Sequence, residues 1–290
     1  MKPILFPNLG LELNINPVAF TVFGKDVYWY GLIIMSGIAL SLLLAYFRIK
    51  KMSDVERLSS KITWDVITDF VLIMIPMGLI CARLYYCIFN WSHYANNPAE
   101  IFMVWNGGLA IYGGVIGGII AGIIYAKIKK ISFLELADFC MPYVAMCQSI
   151  GRWGNFVNQE AFGAETDSFF KMGLYNNALG KYVYYHPAFL YEAACTILIA
   201  IILFLVSKNK KFSGQILYLY FILYGIARFF IEGLRMDSLY IGSSGIRVSQ
   251  LLSAILFGVF LLIYIMRRSN LRSKLIKVLR ESKEAEKNNK

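Results

Sequence analysis

Residues 28–47 read YWYGLIIMSGIALSLLLAYF and contain no Asp, Glu, Lys or Arg. A helix of about 20 residues is roughly 30 Å long, which matches the hydrocarbon core of a bilayer. Charged side chains are costly inside that core, so an uncharged run of this length is typical of a membrane span. This stretch therefore predicts a helix that crosses a membrane.

Further apolar runs follow along the chain, and together they predict an all-α integral membrane protein with about seven transmembrane helices. The composition agrees, because 58% of the 290 residues are hydrophobic, 16% are charged and the mean hydropathy is +0.57. A soluble domain carries about 25% charged residues. Connections between the runs are short, so we expect a single polytopic membrane domain over residues 1–290. The predicted spans are 28–47, 66–89, 108–126, 133–150, 187–206, 215–232 and 248–266.

The net charge of +11 is a topology signal, because the basic residues occupy alternate connections. This distribution argues against a nucleic-acid partner. It predicts an outer amino terminus, a small extracytoplasmic cap over 151–186 and a basic cytoplasmic tail over 267–290. The first span lacks the basic start and cleavage site of a signal peptide, so we expect it to be retained. The basic clusters between spans are Arg48, Lys50, Lys51, Arg57 and Lys61; Lys127, Lys129 and Lys130; and Lys208, Lys210 and Lys211.

Residues 151–163 read GRWGNFVNQEAFG, a polar segment that we expect to be a loop at the mouth of the helices. Glycines punctuate it and allow close approach of the backbone to a ligand. Its charged and amide side chains could bind a polar lipid headgroup. They are Arg152, Asn155, Asn158 and Glu160.

The sixth span carries Tyr224, Arg228, Glu232 and Arg235 at positions i, i+4, i+8 and i+11, which places them on one helical face. One interpretation is an internal Arg228–Glu232 ion pair with Arg235 reaching outward. The other is that this face lines a headgroup site, where Arg228 and Arg152 converge on one anion. A guanidinium suits phosphate because its planar fork can donate two parallel hydrogen bonds.

Several other polar residues lie near the same outer side. Glu192 lies inside the fifth span, where a carboxylate is hard to explain without a partner. Arg83 lies late in the second span. Tyr28 and Tyr30 start the first span, either as an interfacial aromatic belt or as part of a site. We expect His186 to be a structural residue rather than a base.

The cysteines and glycines favour packing roles. All five cysteines lie in apolar spans, with no Cys-x-x-Cys and no histidine at ligand spacing, so we expect small buried hydrophobes and no metal site. The third span repeats glycine at four-residue spacing, for example at Gly113 and Gly117. Such spacing serves close helix packing or a pocket wall for an acyl chain.

The sequence resembles the bacterial prolipoprotein diacylglyceryl transferase family from about residue 17 to 266. The 151–163 segment is the most specific match, and shorter motifs support it in the same order. These are Tyr28-Trp29-Tyr30-Gly31-Leu32, Ala82-Arg83-Leu84-Tyr85-Tyr86, Trp105-Asn106-Gly107-Gly108, His186-Pro187 with Leu190-Tyr191-Glu192, and Tyr224-Gly225 through Arg228, Glu232, Arg235 and Asp237.

The resemblance implies a multi-pass enzyme of the bacterial cytoplasmic membrane whose active site faces the extracytoplasmic side. The enzyme would move the diacylglyceryl group of phosphatidylglycerol to the lipobox cysteine thiol of a prolipoprotein signal peptide, releasing glycerol 1-phosphate, with no cofactor or metal. The motifs imply Arg152, Arg228, Glu232 and Tyr112 as catalytic residues, and Arg152, Asn155, Asn158, Glu160, Gly163, Tyr30, Arg83, Tyr224 and Arg235 as substrate-binding residues.

Within those roles, Arg152 would hold the headgroup and Arg228 the phosphate, and Glu232 would orient the arginines. Tyr112 stands where many family members have a histidine proposed as the base. A phenol with a pKa near 10 is a poor base at neutral pH. Either Tyr112 only orients a group or the base lies elsewhere, and we expect the arginines to lower the pKa of the substrate thiol. The alternatives are a phospholipid-binding or translocating protein without chemistry, and a small-anion channel or carrier.

Overall fold

The computed structural model of this protein describes residues 2–242 and 245–288. The side chains at 55, 57, 59, 106 and 274–288 lie outside the described residues, and so do Asn289 and Lys290 at the end of the predicted tail. Each predicted span coincides with a long helix that begins within a few residues of its expected start. In chain order the helices are α1 Trp29–Lys51, α2 Asp54–Ser60, α3 Trp64–Phe89, α4 Trp91–Tyr94, α5 Ile111–Lys129, α6 Phe133–Val157, α7 Ala188–Ser207, α8 Gln215–Leu234 and α9 Val248–Asn288.

The predicted fold class, a mainly helical membrane protein, is confirmed. Among the described residues, six helices are long and apolar enough to cross a membrane. The fourth predicted span is helical as part of α6, but it does not belong to this group. Glu135, Asp138 and Gln148 lower the hydropathy of that helix. The count of seven spans and the orientation of the chain therefore stay predictions.

Two small sheets were not predicted from the sequence. A four-stranded sheet has the strand order β2-β1-β5-β6, and β3 and β4 form a separate hairpin. Phe23 and Gly24 form the two-residue turn of that hairpin, both with positive φ, as a type I′ turn requires. The strands are β1 Ile4–Phe6, β2 Leu11–Leu13, β3 Val18–Val22, β4 Lys25–Tyr28, β5 Met172–Asn176 and β6 Lys181–Tyr185.

The chain divides into two compact units. The described parts of Met1–Leu43 and Asp138–Lys290 form the first unit, and Leu44–Ala137 forms the second. The first unit contains both sheets, α7, α8 and α9. Its sheet core joins apolar side chains of the strands to those of α6 and α7, including Phe156 and Phe189, whose rings stack 4.6 Å apart.

In the second unit, α5 packs against α3 through the glycines of the third predicted span. A Cβ added at Gly117 would lie 2.7 Å from Cys81 Cβ and 2.8 Å from the carbonyl oxygen of Met77. Gly113 lies equally close to the turn of α3 that contains Tyr85. The packing interpretation of these two glycines is therefore confirmed, because only glycine permits so close a helix contact.

A buried carboxylate fixes the start of α8 in the first unit. Asp138 is 2% exposed and accepts hydrogen bonds from the backbone N–H groups of Gly214 at 2.8 Å, Ile216 at 2.9 Å and Leu217 at 3.0 Å. Lys210 Nζ forms an ion pair with it at 3.2 Å. These bonds satisfy backbone donors that have no partner within the first turn of a helix.

Candidate active site

The candidate site of the first unit centres on Glu192 of α7. The helix begins directly after Pro187, and its second turn carries Glu192 into the interior, where it is 2% exposed. Its Oε1 accepts hydrogen bonds from Arg152 Nη2 at 2.6 Å and from the Tyr224 hydroxyl at 3.0 Å. Its Oε2 accepts one from Arg228 Nη1 at 2.9 Å. One carboxylate on α7 thus joins arginines of α6 and α8.

A second carboxylate extends this cluster along α8. Glu232 Oε2 lies 2.5 Å from Arg228 Nη2, as an ion pair without hydrogen-bond geometry. The charges alternate in the order Arg152, Glu192, Arg228, Glu232, and they sum formally to zero. Because isolated buried charges are strongly unfavourable, this alternation lets four ionised groups share an apolar interior.

The ion pair of the first interpretation of the sixth-span face is observed, whereas the headgroup site of the second stays a prediction. The Arg228–Glu232 ion pair is present, and Arg228 also meets Arg152 through the shared Glu192. The outward reach of Arg235 stays a prediction; its side chain is 14% exposed and bonded to Asp237, whose side chain is 52% exposed.

The loop predicted over 151–163 begins later than expected. Helix α6 continues to Val157, so Arg152 and Asn155 lie in its last two turns and not in a loop. They are three residues apart and therefore share one side of the helix, where Arg152 Nη1 donates to Asn155 Oδ1 at 3.0 Å. The helix gives both side chains a fixed direction that a loop would not.

Glu160 connects the remaining amides of this segment to the cluster. Its Oε1 accepts from Asn155 Nδ2 at 2.9 Å and from Asn158 Nδ2 at 3.4 Å. The neighbours Gln159 and Ala161 have positive φ angles of 55° and 56°. Left-handed backbone costs a non-glycine residue roughly 1–2 kcal/mol, and such strain is often found at functional sites. A continuous side-chain network thus runs from Glu160 to Glu232.

Gly163 ties the end of this segment to two other elements. Its N–H donates to the His186 carbonyl at 2.9 Å, and the next N–H, of Ala164, donates to the Leu234 carbonyl at 2.7 Å. A Cβ at Gly163 would lie 2.7 Å from His186 Cβ and 2.9 Å from the Leu234 oxygen. Glycine is therefore needed for the close approach of three chain segments.

Two of the predicted tyrosines lie at the network. The ring of Tyr30 packs against Gly154, where an added Cβ would lie 2.6 Å from Tyr30 Cδ2. Tyr224 stacks on Tyr220 with ring centroids 5.6 Å apart, and the Tyr220 hydroxyl donates to Gln148 Oε1 at 2.8 Å. Polar side chains of α6 and α8 thus extend from the arginines to Tyr220 and Gln148.

Arg235, at the end of α8, is bonded to Asp237. It donates from Nε and Nη2 to the two carboxylate oxygens of Asp237, at 2.9 Å and 2.6 Å. These bonds lower the pKa of Asp237 below its usual value. A substrate-binding role for Arg235 stays a prediction, because in this arrangement its fork is bonded to Asp237.

Arg83 belongs to the second unit and binds backbone there. Its guanidinium donates to the carbonyl oxygens of Ile101, Glu100, Gly107 and Gly108 at 2.5–3.0 Å. The side chain is buried, with the residue 5% exposed. These bonds hold the segment before α5 on α3, which is a structural use of the arginine. The substrate-binding role predicted for it is not tested by these contacts.

Tyr112, the predicted orienting or catalytic tyrosine, is the second residue of α5 in the second unit. It is half-buried, and its ring lies 6.4 Å from that of Tyr85. Its predicted role is likewise untested.

Residues 17–266 match the family model of the prolipoprotein diacylglyceryl transferases. The match covers most of the chain, including every residue of the Glu160-to-Glu232 network. The chain belongs to the prolipoprotein diacylglyceryl transferase family. As a member, it is a membrane transferase of lipoprotein biosynthesis.

Individual members of the family are similar over nearly their whole length. A phosphatidylglycerol–prolipoprotein diacylglyceryl transferase of Clostridium novyi is 43% identical over 265 residues, covering 89% of this chain and 98% of the relative. The enzyme of that name from Clostridioides difficile is 44% identical over 254 residues, covering 87% of this chain and 96% of the relative. One from Finegoldia magna is 44% identical, covering 84% and 93%. The resemblance to the family seen in the sequence is thereby confirmed.

In this transferase family member, Glu192 is central to the site, although the family resemblance implied no role for it. Glu232 was expected to orient both arginines, yet in the part of the chain that the structure describes its ion pair is with Arg228 alone. The signal was present in the sequence as a carboxylate inside an apolar span. Among the described residues, no three His, Cys, Asp or Glu side chains are grouped as metal ligands. The site offers two guanidinium groups, amides and hydroxyls, which suit an anionic headgroup.

Proposed function

We propose that this chain transfers the diacylglyceryl group of phosphatidylglycerol to the lipobox cysteine thiol of a prolipoprotein and releases glycerol 1-phosphate. The observation that carries the proposal is the pairing of Arg152 and Arg228 on one buried carboxylate. Two guanidinium groups held together suit a single phosphate, and the relatives named above carry phosphatidylglycerol and prolipoprotein in their names.

In the proposed reaction, the thiol sulfur bonds to the glyceryl carbon that carries the phosphate ester. The carbon–oxygen bond to phosphate breaks, its electron pair stays on the phosphate oxygen, and the thiol proton passes to a base. The phosphodiester has one negative charge and the departing monoester gains a second. Arg152 would bind the headgroup phosphate and Arg228 the departing oxygen, so that both stabilise the charge that develops.

The remaining network residues would shape the site. The end of α6 and the following loop would be fixed by the bonds of Asn155 and Asn158 to Glu160. The ring of Tyr30 would form the wall of the site next to Gly154. A free thiol has a pKa of about 8.5, and cationic neighbours lower such values. We propose that Arg152 and Arg228 favour the thiolate in this way, with Tyr112 acting at most by hydrogen bonding.

We further propose that the site faces the extracytoplasmic side of a bacterial cytoplasmic membrane. The alternate basic connections support an outer amino terminus, an outer cap over 151–186 and a cytoplasmic tail over 267–290, in one polytopic domain. On this orientation the Glu160 end of the network opens outward, where a secreted prolipoprotein presents its signal peptide.

The test uses purified full-length protein, phosphatidylglycerol labelled in its diacylglyceryl group, and lipobox peptides that contain cysteine or serine. We expect label on the cysteine peptide alone, release of glycerol phosphate, and no transfer by Arg152→Ala. Arg272→Ala, at an exposed position of α9, is the matched control and should retain activity. Phosphatidylglycerol that binds but is never consumed would instead indicate a lipid-binding or translocating protein.

A further inference from the structure

We propose that Glu192 is the positioning residue of the site, a role that rests on the proposed function. The carboxylate would hold Arg152 and Arg228 at a fixed separation while their remaining N–H groups stay available for one phosphate. Tyr224 would fix the carboxylate in turn, through its bond to Oε1. Glu192 itself would not touch the substrate.

The two oxygens of Glu192 have separate partners, which makes the arrangement specific. Arg152 bonds to Oε1 and Arg228 to Oε2. Two guanidinium groups on different helices repel each other. A carboxylate between them attracts both, and these two attractions outweigh the repulsion. Each guanidinium presents several N–H donors, and the contacts with carboxylates and Asn155 engage only part of them.

Glutamine cannot replace Glu192 in this arrangement. It has one acceptor oxygen, and its NH₂ group would face an N–H donor of one arginine. Aspartate keeps both acceptor oxygens but withdraws them by about one carbon–carbon bond, roughly 1.5 Å. The expected order of activity is therefore wild type, then Glu192→Asp, then Glu192→Gln.

Glu232 provides the internal comparison, because it is equally buried and on the same network. Its side chain is 3% exposed, as is that of Glu192, yet among the described residues its ion pair is with Arg228 alone. Removing its charge should loosen one arginine, whereas removing that of Glu192 should loosen two.

The experiment measures kcat and KM for phosphatidylglycerol in full-length protein, together with thermal unfolding. For Glu192→Gln we expect a kcat loss of about 10²-fold, since a misplacement of about 1 Å costs this much. The KM should change less than about threefold, because the lost negative charge favours anion binding. Glu232→Gln should lose less, and Glu12→Gln, at an exposed position of β2, should match wild type.

The pH profile separates positioning from proton transfer. We expect the ratio of the variant to wild-type rate to change by less than about tenfold in total between about pH 6 and pH 9, the change that a shifted pKa of the substrate thiol would cause. A ratio that rises about tenfold per pH unit across this whole range would identify Glu192 as the proton acceptor and overturn the proposal. A loss expressed in KM, or a loss in Glu232→Gln as large as in Glu192→Gln, would also overturn it.

Glu192→Asp keeps the inference testable if Glu192→Gln does not fold. Activity between that of wild type and the glutamine variant, or partial activity when the latter is unfolded, supports the need for two acceptor oxygens. A folded Glu192→Asp with wild-type kcat would overturn the positioning role. Failure of the proposed function is a separate outcome, since wild type would then bind phosphatidylglycerol without consuming it.

Discussion

Asp138 and Glu192 are both 2% exposed carboxylates of the first unit, but they hold different kinds of partner. Asp138 binds three backbone N–H groups and Lys210 at the start of α8, so it fixes a helix end. Glu192 binds the side-chain ends of two arginines and a tyrosine. Asp138 therefore stabilises the fold through backbone groups, whereas we propose that Glu192 positions two cationic side chains for a ligand.

The largest effect is expected when one of the two arginines bound to Glu192 is removed. For Arg228→Ala we expect a loss of kcat of about 10²–10³-fold, or about 3–4 kcal/mol, because a transition-state charge loses its donor. The unfolding temperature should also fall, because Arg228→Ala leaves the buried carboxylate of Glu232 without its ion-pair partner, so the rate is expressed per folded molecule. Labelled transfer to the cysteine peptide measures the rate.

The control for that variant is Arg272→Ala, which makes the same change at an exposed position. Equal losses in the two variants, or a loss in Arg228→Ala that follows the fraction of unfolded protein, would contradict a role for the arginine in the reaction.

Asp138→Asn tests the structural member of the pair. Asparagine retains one acceptor oxygen and loses the charge that pairs with Lys210, so we expect about 2–3 kcal/mol of destabilisation. The activity of the folded fraction should remain near that of wild type. Thermal unfolding in detergent and the rate per folded molecule check the two parts, and a rate loss without destabilisation would reverse the assignments of Asp138 and Glu192.

Both carboxylates also show what the sequence can predict. Each long helix was predicted because hydropathy is a local property, and the face shared by Arg228 and Glu232 follows from helical spacing. The meeting of Arg152, Glu192 and Arg228 was not predictable, because contacts among three helices depend on how those helices pack. The sequence predicts a loop at Arg152 because glycines commonly end helices, yet α6 continues through Gly151 and Gly154.

The sheets were missed for a different reason. Their strands are 3–5 residues long, too short for an alternating pattern to stand out beside apolar helices. The backbone role of Arg83 was also missed, since an arginine in a span predicts a polar partner but does not identify it as a carbonyl.

Gly163→Ala should lower both stability and activity, because Gly163 supports the site through backbone contacts. The added Cβ meets His186 and Leu234, so we expect about 1–3 kcal/mol of destabilisation together with loss of activity. Gly258→Ala in α9 is the matched control, since an added Cβ there has nothing within 4 Å and the residue lies outside the 151–163 segment. It should leave the rate unchanged and hold or raise the unfolding temperature. Similar behaviour of the two variants would contradict the close approach at Gly163.

Asp237 gives the smallest expected effect and extends the comparison to a carboxylate at the surface. Arg235 lowers the pKa of Asp237 from its usual 3.8, so the pair stabilises the fold above that pH. The stabilisation is lost as pH falls through the lower folded-state pKa. Because the Asp237 side chain is 52% exposed, solvent screening limits the contribution to about 1 kcal/mol or less.

The corresponding measurement is the unfolding temperature of wild type and Asp237→Asn between about pH 7 and pH 2. We expect wild type to be slightly more stable at neutral pH, and the difference to disappear toward the acid end and at high salt. Asp167→Asn is the control, because Asp167 is 98% exposed beside Lys171 and should show a smaller difference. A difference that grows as pH falls would mean that Asp237 is held in its protonated form, and Arg235 would then be free to bind a substrate phosphate.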